Sequence, residues 1–151
     1  MECEIPLRNA TSGEIKSVFN KYDTVAVVGL STNPAKDSNI IGHYLKDNGF
    51  TIIPVHPYAK EILGEKAYPS LKDIPHDVHA EIVCVFRPSG EVSEIVDDAI
   101  SVSAKVIWTQ LGIANNAAAD KARSAGLQVV MNKCMKIEHL LWLNRRREIP
   151  A

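Results

Sequence analysis

Hydroxyl, amide and ammonium groups are concentrated in the stretch Val25 to Leu45, VAVVGLSTNPAKDSNIIGHYL, between an apolar run and a helical pattern. The side chains that could donate hydrogen bonds or positive charge near the start of the helix are those of Ser31, Thr32, Asn33, Lys36, Ser38 and Asn39. A helix that begins near Ser38 would add free backbone N–H groups and the positive end of its dipole. These features predict an anion site that suits an extended phosphate chain. The alternative is that Ser38 only caps the helix and that Asn33 and Pro34 only form a turn.

Two common nucleotide motifs are absent from this stretch. Gly29 is not followed by the GxxxxGK pattern with a Ser or Thr that wraps terminal phosphates, which argues against phosphoryl transfer. In the dinucleotide pattern GxGxxG, Ser31 stands at the second glycine and Pro34 at the third. About 20 residues further on, where NAD-binding proteins carry an acid, the sequence reads IIPVHPYAK. Both observations argue against an NAD site.

Apolar runs and amphipathic stretches alternate along the chain. TVAVVG, FTIIPV, AEIVCVF, KVIWTQL and LQVVMN are typical of buried strands, and a weaker short strand is predicted near Ala67, before a helical turn after Ser70. The pattern predicts a single α/β domain over residues 1–151, with a doubly wound, mainly parallel sheet of about five strands and flanking helices. We expect the strand order 3-2-1-4-5, a helical lead-in over 1–23 with a Thr11/Glu14 capping box, and a C-terminal helix over 135–147.

Open sheets of this kind bind ligands beyond the carboxyl ends of their strands. Residues to consider therefore follow Gly29, Ile53, Phe86, Trp108 and Val130. Arg87 directly follows the strand IVCVF, and its position fits either a ligand contact or a solvated surface arginine.

Composition limits the classes of partner. The formal net charge is -1, from 17 basic and 18 acidic residues, so no overall positive field attracts nucleic acid or an anionic membrane. No apolar stretch reaches the roughly 18 residues of a membrane span, and MECEIPLRN lacks the pattern of a signal peptide. We expect a cytoplasmic protein without nucleic-acid or membrane partners.

The cysteines and histidines predict no metal site. Cys3, Cys84 and Cys134 are widely spaced, and the five histidines form no metal-ligand pattern. Cys84 lies inside a predicted strand and is expected to be a core thiol. Cys134 precedes the last helix, whose N-terminus would favour a thiolate, so it is a candidate redox thiol against the alternative of an inert cysteine. No catalytic nucleophile, base or carboxylate pair is recognisable.

A resemblance to a known family rests on six motifs: VVGLSTNPAKDSNIIGHYL, IIPVHP, ILGEKAYPSLKDIP, VCVFRPSGEV, VIWTQLG and VVMNKCMKIEH. Together they resemble the small stand-alone CoA-binding domain proteins and the Rossmann-like CoA-binding domain of the succinyl-CoA synthetase α subunit. The resemblance extends from about Thr24 to His139. That synthetase's phosphorylated histidine lies in another domain, so its reaction is not implied.

The resemblance implies that the loop from Gly29 to Ser38 takes CoA phosphates and that Val55, His56 and Pro57 flank the adenosine. Phe86, Arg87 and Pro88 would lie beside the nucleotide or the pantetheine arm. Family members commonly have Asn where this chain has His56, so the role of that Asn is not carried over directly. Trp108 and Gln110, at the end of the fourth main strand, are candidates for the pantetheine path, although Trp108 equally fits ordinary core.

The resulting hypothesis is non-catalytic binding of CoA or an acyl-CoA by a sensor, carrier or accessory subunit. One alternative is an NAD(P)-binding or acyl-CoA enzyme. Another is a protein-interaction module with a vestigial nucleotide pocket. The C-terminal helix, with its run Leu140 to Leu143, fits a homo-oligomer or partner contact as well as packing on the chain's own sheet. The cations of NRRR, residues 144–147, complement the dipole of that helix.

Overall fold

Five apolar segments form the strands of one parallel sheet, and the amphipathic segments between them form helices. The computed structural model describes residues 4–148, so Cys3 and the outermost residues of the predicted domain lie outside the described part. The strands are β1 (Thr24–Val28), β2 (Thr51–Val55), β3 (Glu61–Ile62), β4 (Glu65–Lys66), β5 (Ile82–Val85), β6 (Val106–Thr109) and β7 (Gln128–Val130). The helices are α1 (Ser12–Lys21), α2 (Asp37–Asp47), α3 (Val92–Ser101), α4 (Asn116–Ser124) and α5 (Met135–Glu148).

The strand order of the sheet is β2-β1-β5-β6-β7, with every neighbouring pair parallel. In terms of the five main strands this is 2-1-3-4-5, so the predicted order 3-2-1-4-5 is wrong. The third main strand, β5, lies in the centre instead of at the edge, and all four of its residues are buried. A central position gives its backbone a ladder partner on both sides, whereas an edge would leave one row of N–H and C=O groups unpaired.

Strand side chains alternate between two helical layers, which confirms the doubly wound fold. Val83 and Val85 of β5 face the cluster built with α3 and α4. Ile82 and Cys84 of the same strand face the cluster built with α1, α2 and α5. Successive side chains of a strand point to opposite faces of the sheet, so a strand that is covered on both faces must be apolar at every position. The sheet is therefore closed to solvent on both faces, and its carboxyl edge is left for a ligand.

The weakly patterned segment between β2 and β5 covers the outer edge of β2. β3 and β4 form a small antiparallel hairpin, and Tyr68 forms a parallel bridge with Val55. A 3₁₀ turn follows at Leu71–Asp73. The predicted short strand near Ala67 and the helical turn after Ser70 are thus confirmed, with the strand ending at Lys66.

The capping box of α1 is formed as predicted. The Thr11 hydroxyl accepts a hydrogen bond from Glu14 N at 3.2 Å, and Glu14 Oε1 accepts one from Thr11 N at 3.0 Å. These bonds satisfy backbone donors that the first turn of a helix leaves free. The backbone hydrogen bond from Thr11 also holds the pKa of the Glu14 carboxyl below its ordinary value. The segment before β1 is therefore a well-defined helix that packs on the sheet through Ile15, Val18 and Phe19.

An aromatic cluster joins α1, α2 and α5 around His139, which is only 4% exposed. The rings of Phe19, Phe50 and Trp142 lie with their centroids 5.2–5.3 Å from the His139 ring. Tyr44 Oη lies 2.8 Å from His139 Nδ1, a hydrogen bond that ties α2 to α5. Burial lowers the pKa of His139 and raises that of Tyr44, so both side chains are held in their neutral forms.

This buried histidine predicts an acid-dependent loss of stability. Because its pKa is lower in the folded protein than in the unfolded chain, the unfolded chain takes up the proton first as the pH falls. The stabilisation is fully present above the unfolded pKa of about 6.5 and is lost as the pH falls from there through the folded pKa. We expect His139→Gln to flatten the pH dependence of the free energy of unfolding below that value, measured by urea unfolding.

His76→Gln is the matched control, because His76 is exposed. It should retain the pH dependence of the wild type. A His139→Gln variant whose pH profile is parallel to that of the wild type would show that His139 does not cause the effect.

Within residues 4–148, no helix is long and apolar enough to cross a bilayer. The same residues contain no group of three or more His, Cys, Asp or Glu side chains that could hold a metal ion.

Candidate functional site

The carboxyl ends of β1, β2 and β5 surround a cavity of about 570 Å³. In the strand order, β2 is the neighbour of β1 on one side and β5 is its neighbour on the other, so the direction of winding reverses at β1. Ligands of open α/β sheets bind at such a reversal. The volume falls within the roughly 300–1,000 Å³ of small-molecule sites. The cavity is lined by Val28, Gly29, Ser31, Val55, His56, Pro57, Tyr58, Pro69, Ser70, Leu71, Arg87, Glu91, Glu94, Ile95 and Asp98.

Gly29 brings the three strand ends together. Its φ is +88°, a conformation that residues with a Cβ rarely adopt. Its N–H donates to the Val55 carbonyl at 3.0 Å, which extends the contact of β1 with β2. A Cβ at this position would lie 2.9 Å from both the Phe86 carbonyl oxygen and Arg87 Cδ. Only glycine allows the turn after β1 to approach the residues that follow β5.

The loop after Gly29 is held by its own polar side chains. Ser31 N donates to Ser38 Oγ at 2.9 Å, and Asn39 Nδ2 donates to the Ser31 carbonyl at 2.8 Å. Asn33 Oδ1 accepts from Ala35 N at 2.9 Å, which makes the turn expected from Asn33 and Pro34. The N-cap of α2 is Lys36, without a side-chain cap bond, so Ser38 does not cap the helix; its Oγ accepts from Ser31 N, and its contact with a ligand stays a prediction. The loop therefore presents its backbone in a fixed shape at the helix N-terminus.

His56 fixes the turn at the end of β2. Its Nδ1 lies 3.1 Å from Tyr58 N and 2.9 Å from Ala59 N, and both N–H groups donate to it. An acceptor at Nδ1 places the proton of the neutral ring on Nε2, which is left as a donor. An Asn side-chain oxygen can accept the same bonds in a turn. At the position where the resemblance leads us to expect Asn, His56 thus forms the turn through Nδ1 and offers a ring N–H donor in place of the amide N–H of Asn.

One wall of the cavity is acidic. Arg87 is paired with Glu91 through Nε to Oε1 at 3.2 Å and Nη2 to Oε2 at 2.9 Å. Glu94 and Asp98 follow along α3, and Lys72 Nζ lies 3.3 Å from Asp98 Oδ1. The Arg87–Glu91 pair is about half exposed, with 47% of each side chain accessible. Such a pair contributes at most about 1 kcal/mol to stability, so an anionic ligand can compete with Glu91 for the guanidinium at little cost.

The structure brings part of the predicted site together. Of the predicted residues, those that line the cavity are Gly29, Ser31, Val55, His56, Pro57 and Arg87. The lining does not include Thr32, Asn33, Lys36, Ser38 and Asn39 of the loop, or Phe86 and Pro88 beside Arg87. Lys36 is exposed at the N-terminus of α2, whereas Ser38 and Asn39 are buried beneath the loop. The loop residues support the cavity from behind or extend it outward; their contact with a ligand stays a prediction.

Trp108 and Gln110 do not line the cavity, and the structure places both side chains in the core instead, so their contact with a ligand stays a prediction. Trp108 is fully buried, packs against Phe19 and donates from Nε1 to the Lys133 carbonyl at 2.8 Å. A strand side chain points perpendicular to the sheet, so Trp108 points into a helical layer although it is close to the strand end. Gln110 is 3% exposed, donates to Cys84 Sγ at 3.0 Å and accepts from Met135 N at 3.3 Å.

The two described cysteines have different surroundings. Cys84 is fully buried, which confirms the predicted core thiol, and burial raises the pKa of this thiol to about 12. Cys134 is half-buried directly before α5 and packs beside the core cluster that contains Cys84. It is not among the cavity-lining residues. Reaction of Cys134 with a ligand thiol stays a prediction.

Two groups of cavity-lining residues were not predicted from the sequence, one in the segment between β2 and β5 and one along α3 and at its N-cap. Ser70 and Leu71 belong to the weakly patterned segment between β2 and β5, for which a helical turn was predicted but no ligand contact. Glu91, Glu94 and Asp98 have the spacing of residues on one face of a helix. The sequence interpretation of α3 considered only its apolar face. The spacing of these acids was the available signal.

Comparison with known proteins adds independent findings. A family model described as "CoA binding domain" matches residues 23–140. YneT of Bacillus subtilis (strain 168) is 36% identical over 133 residues, covering 88% of this chain and 97% of YneT. The solved structure of a hypothetical protein from Pyrococcus horikoshii OT3 has a TM-score of 0.86 at 39% identity and covers 95% of this chain and 99% of that one. The ADP-forming acetate–CoA ligase II of Archaeoglobus fulgidus is 43% identical over 75 residues, which are 48% of this chain and 11% of the ligase.

Proposed function

Because this chain belongs to the CoA-binding domain family, we propose that the cavity at the carboxyl edge of its sheet binds coenzyme A or an acyl-CoA without turnover. The observation that carries the proposal is the cavity of about 570 Å³ between the Gly29 turn and the ends of β2 and β5. It lies beside the free N-terminus of α2, so one ligand can fill the cavity and still reach an anion-binding helix end.

The pyrophosphate of CoA is proposed to lie over Gly29 and Ser31 toward the first turn of α2. The first N–H groups of a helix have no intrahelical partner, and the N-cap Lys36 supplies no side-chain bond that would occupy them. Lys36 is exposed at the same end and adds a positive charge. Because Asp37 in the first turn opposes the ammonium charge, the helix dipole and its free N–H groups are what favour negative charge at this side of the cavity.

The adenosine is proposed to occupy the cavity between β2 and α3. Carboxylates accept hydrogen bonds from an adenine amino group or ribose hydroxyls, whereas they repel phosphate. Glu94 and Asp98 therefore favour the nucleoside over the phosphates at this end. His56 Nε2 supplies a donor on the opposite side for a ring nitrogen or a hydroxyl oxygen. The charge distribution orients the ligand with its pyrophosphate toward α2 and requires the ribose phosphate of CoA to point away from Glu94 and Asp98.

Arg87 lines the cavity, where no Lys is among the lining residues, so its substitution should cause a measurable loss of affinity. We expect Arg87→Gln to weaken CoA binding roughly tenfold, which corresponds to about 1.4 kcal/mol, because one charge-assisted contact with phosphate is removed. Isothermal titration calorimetry measures the change. Lys105→Gln is the control, because Lys105 is exposed at the opposite, amino end of β6 and should leave the affinity unchanged. Equal loss in the two variants would assign the effect to net charge.

Binding without turnover is supported by the chemistry of the cavity lining. The Nδ1 lone pair of His56 is occupied by two backbone N–H groups, and its Nε2 carries the proton, so the neutral ring offers a donor and no free base. Of the three lining carboxylates, Glu91 and Asp98 are ion-paired. The role proposed for this chain is that of a CoA or acyl-CoA sensor, carrier or accessory subunit.

Calorimetric titration of the purified protein with CoA, dephospho-CoA, NAD and NADP tests the proposed ligand. We expect binding of CoA that is tighter than binding of either dinucleotide. Tighter binding of NAD would favour the dinucleotide alternative, and turnover of an acyl-CoA by the isolated chain would favour an enzyme. Binding of none of the four, with stable protein association through α5, would favour the interaction module.

A further inference from the structure

A groove between α1 and α5 is separate from the proposed CoA cavity. It encloses about 280 Å³ and is lined by Ser12, Ile15, Lys16, Glu138, Leu141, Trp142, Arg145 and Arg146. A second hollow of about 290 Å³ adjoins it and shares Trp142 and Arg146. Both hollows border α1 and α5, and their lining residues on α5 extend from Glu138 to Arg146, about two turns of helix, which we call the track. A track of this shape fits an elongated segment better than a compact small molecule.

The groove is positively charged in a chain whose formal net charge is -1. Lys16 contributes one cation from α1, and Arg145 and Arg146 contribute two from α5, against the single acid Glu138. Within residues 4–148, none of these three cations forms an ion pair; Arg146 lies over the Trp142 ring, with its guanidinium carbon 4.6 Å from the ring centroid. The cations come from both helices and flank the groove, so they complement negative charge along an occupant.

The floor and edge of the groove are apolar. Ile15 is buried in the floor, and Leu141 is 44% exposed at the edge. Ile137 and Leu140 of α5 are also exposed, at 50% and 41% of their surfaces, but they do not line the groove. Trp142 Nε1 is buried and has no acceptor among the described residues, so the indole is the least satisfied polar group of the cluster. The groove therefore combines apolar side chains with cations from both helices, a combination that suits an amphipathic helix.

We propose that the α1/α5 groove docks an acidic amphipathic helix of a protein partner. The helix would place its apolar side chains against Ile15, Leu141 and Trp142 and its carboxylates toward Lys16 and the two arginines. Charge complementarity selects an acidic segment, because the cations have no internal ion partners to displace. A flat anionic bilayer would touch only the rim of this concave groove, so a helix is favoured over a lipid surface.

The probe for this proposal is a synthetic amphipathic peptide of about 14 residues made of Glu, Ala and Leu. It is titrated into ¹⁵N-labelled full-length protein, and backbone amide shifts are followed by NMR. A matched peptide with Lys in place of Glu is the charge control. We expect shifts confined to α1 and α5 with the Glu peptide and none with the Lys peptide. The double variant Lys16→Glu/Arg145→Glu should weaken binding at least tenfold, or about 1.4 kcal/mol.

Lys105→Glu controls for net charge and should leave the peptide affinity unchanged. Circular dichroism and the CoA isotherm of the double variant should match the wild type, since neither substituted residue lines the CoA cavity. The proposal is overturned if both peptides bind equally or if the shifts lie outside α1 and α5. It is also overturned if phosphatidylserine vesicles or a second copy of the chain occupy the groove while the Glu peptide does not. None of these outcomes depends on whether CoA binds.

Discussion

Gly29→Ala is expected to lower the free energy of unfolding by about 3 kcal/mol, because two costs coincide at this turn. The first is a φ of +88° imposed on a residue with a Cβ. The second is contact at 2.9 Å with the Phe86 carbonyl oxygen and with Arg87 Cδ. The arginine side chain can move, but the Phe86 backbone belongs to the exit of β5 and cannot. Chemical denaturation of the purified variant measures the loss.

Gly126→Ala separates these two costs. Gly126 has a φ of +90°, but no atom lies within 4 Å of an added Cβ. It should lose only the conformational part, about 1 kcal/mol. Equal losses in the two variants would show that the close approach of Gly29 to Phe86 contributes nothing. Since the same approach shapes the cavity, Gly29→Ala should also weaken CoA binding in the fraction that remains folded, whereas Gly126→Ala should not.

Trp108→Ala should lose about 4 kcal/mol of unfolding free energy, the range expected for removing a fully buried aromatic side chain. Trp108 is 0% exposed, and its indole N–H satisfies the Lys133 carbonyl at 2.8 Å. The substitution leaves a cavity in the layer formed by α1, α2 and α5, and it removes the partner of a buried acceptor. Thermal and urea unfolding give the magnitude.

Trp108→Phe keeps most of the volume and tests whether this residue also contacts the ligand. It should lose about 1–2 kcal/mol of stability, because the indole hydrogen bond is missing, while its CoA affinity stays within twofold of the wild type. Weaker CoA binding at unchanged stability would return Trp108 to the ligand path.

The local elements of this fold follow from the sequence because they depend on short-range patterns. The run TVAVV with Gly29 predicts a buried strand and a tight turn, and Thr11 with Glu14 predicts the start of α1; the structure contains both. The strand order does not follow in the same way. Whether β5 lies beside β1 or at an edge depends on pairing between residues more than fifty positions apart. The four consecutive buried residues of β5 were nevertheless a signal for a central strand.

The candidate site shows the same difference between features that depend on short-range patterns and features that depend on tertiary packing. Residues that directly follow a strand, such as Ser31, His56 and Arg87, line the cavity, because the ends of parallel strands meet at one edge. Side chains whose contacts are decided by tertiary packing were harder to place. The hydroxyl of Ser38 accepts a bond within the loop, and Glu91 occupies the guanidinium of Arg87. The second contact was foreseeable from the i, i+4 spacing of the pair, whereas the first required the folded loop.

The most direct test of CoA binding in this cavity is a calorimetric titration of CoA into the wild type, Glu94→Trp and Asp97→Trp. Both positions are exposed on α3, but only Glu94 lines the cavity; Asp97 pairs with Lys121 at 2.8 Å outside it. We predict that the wild type and Asp97→Trp bind CoA equally and that Glu94→Trp, which fills the cavity with an indole, binds at least tenfold more weakly. Equal affinity in all three proteins, or no binding by the wild type, would contradict the proposed site.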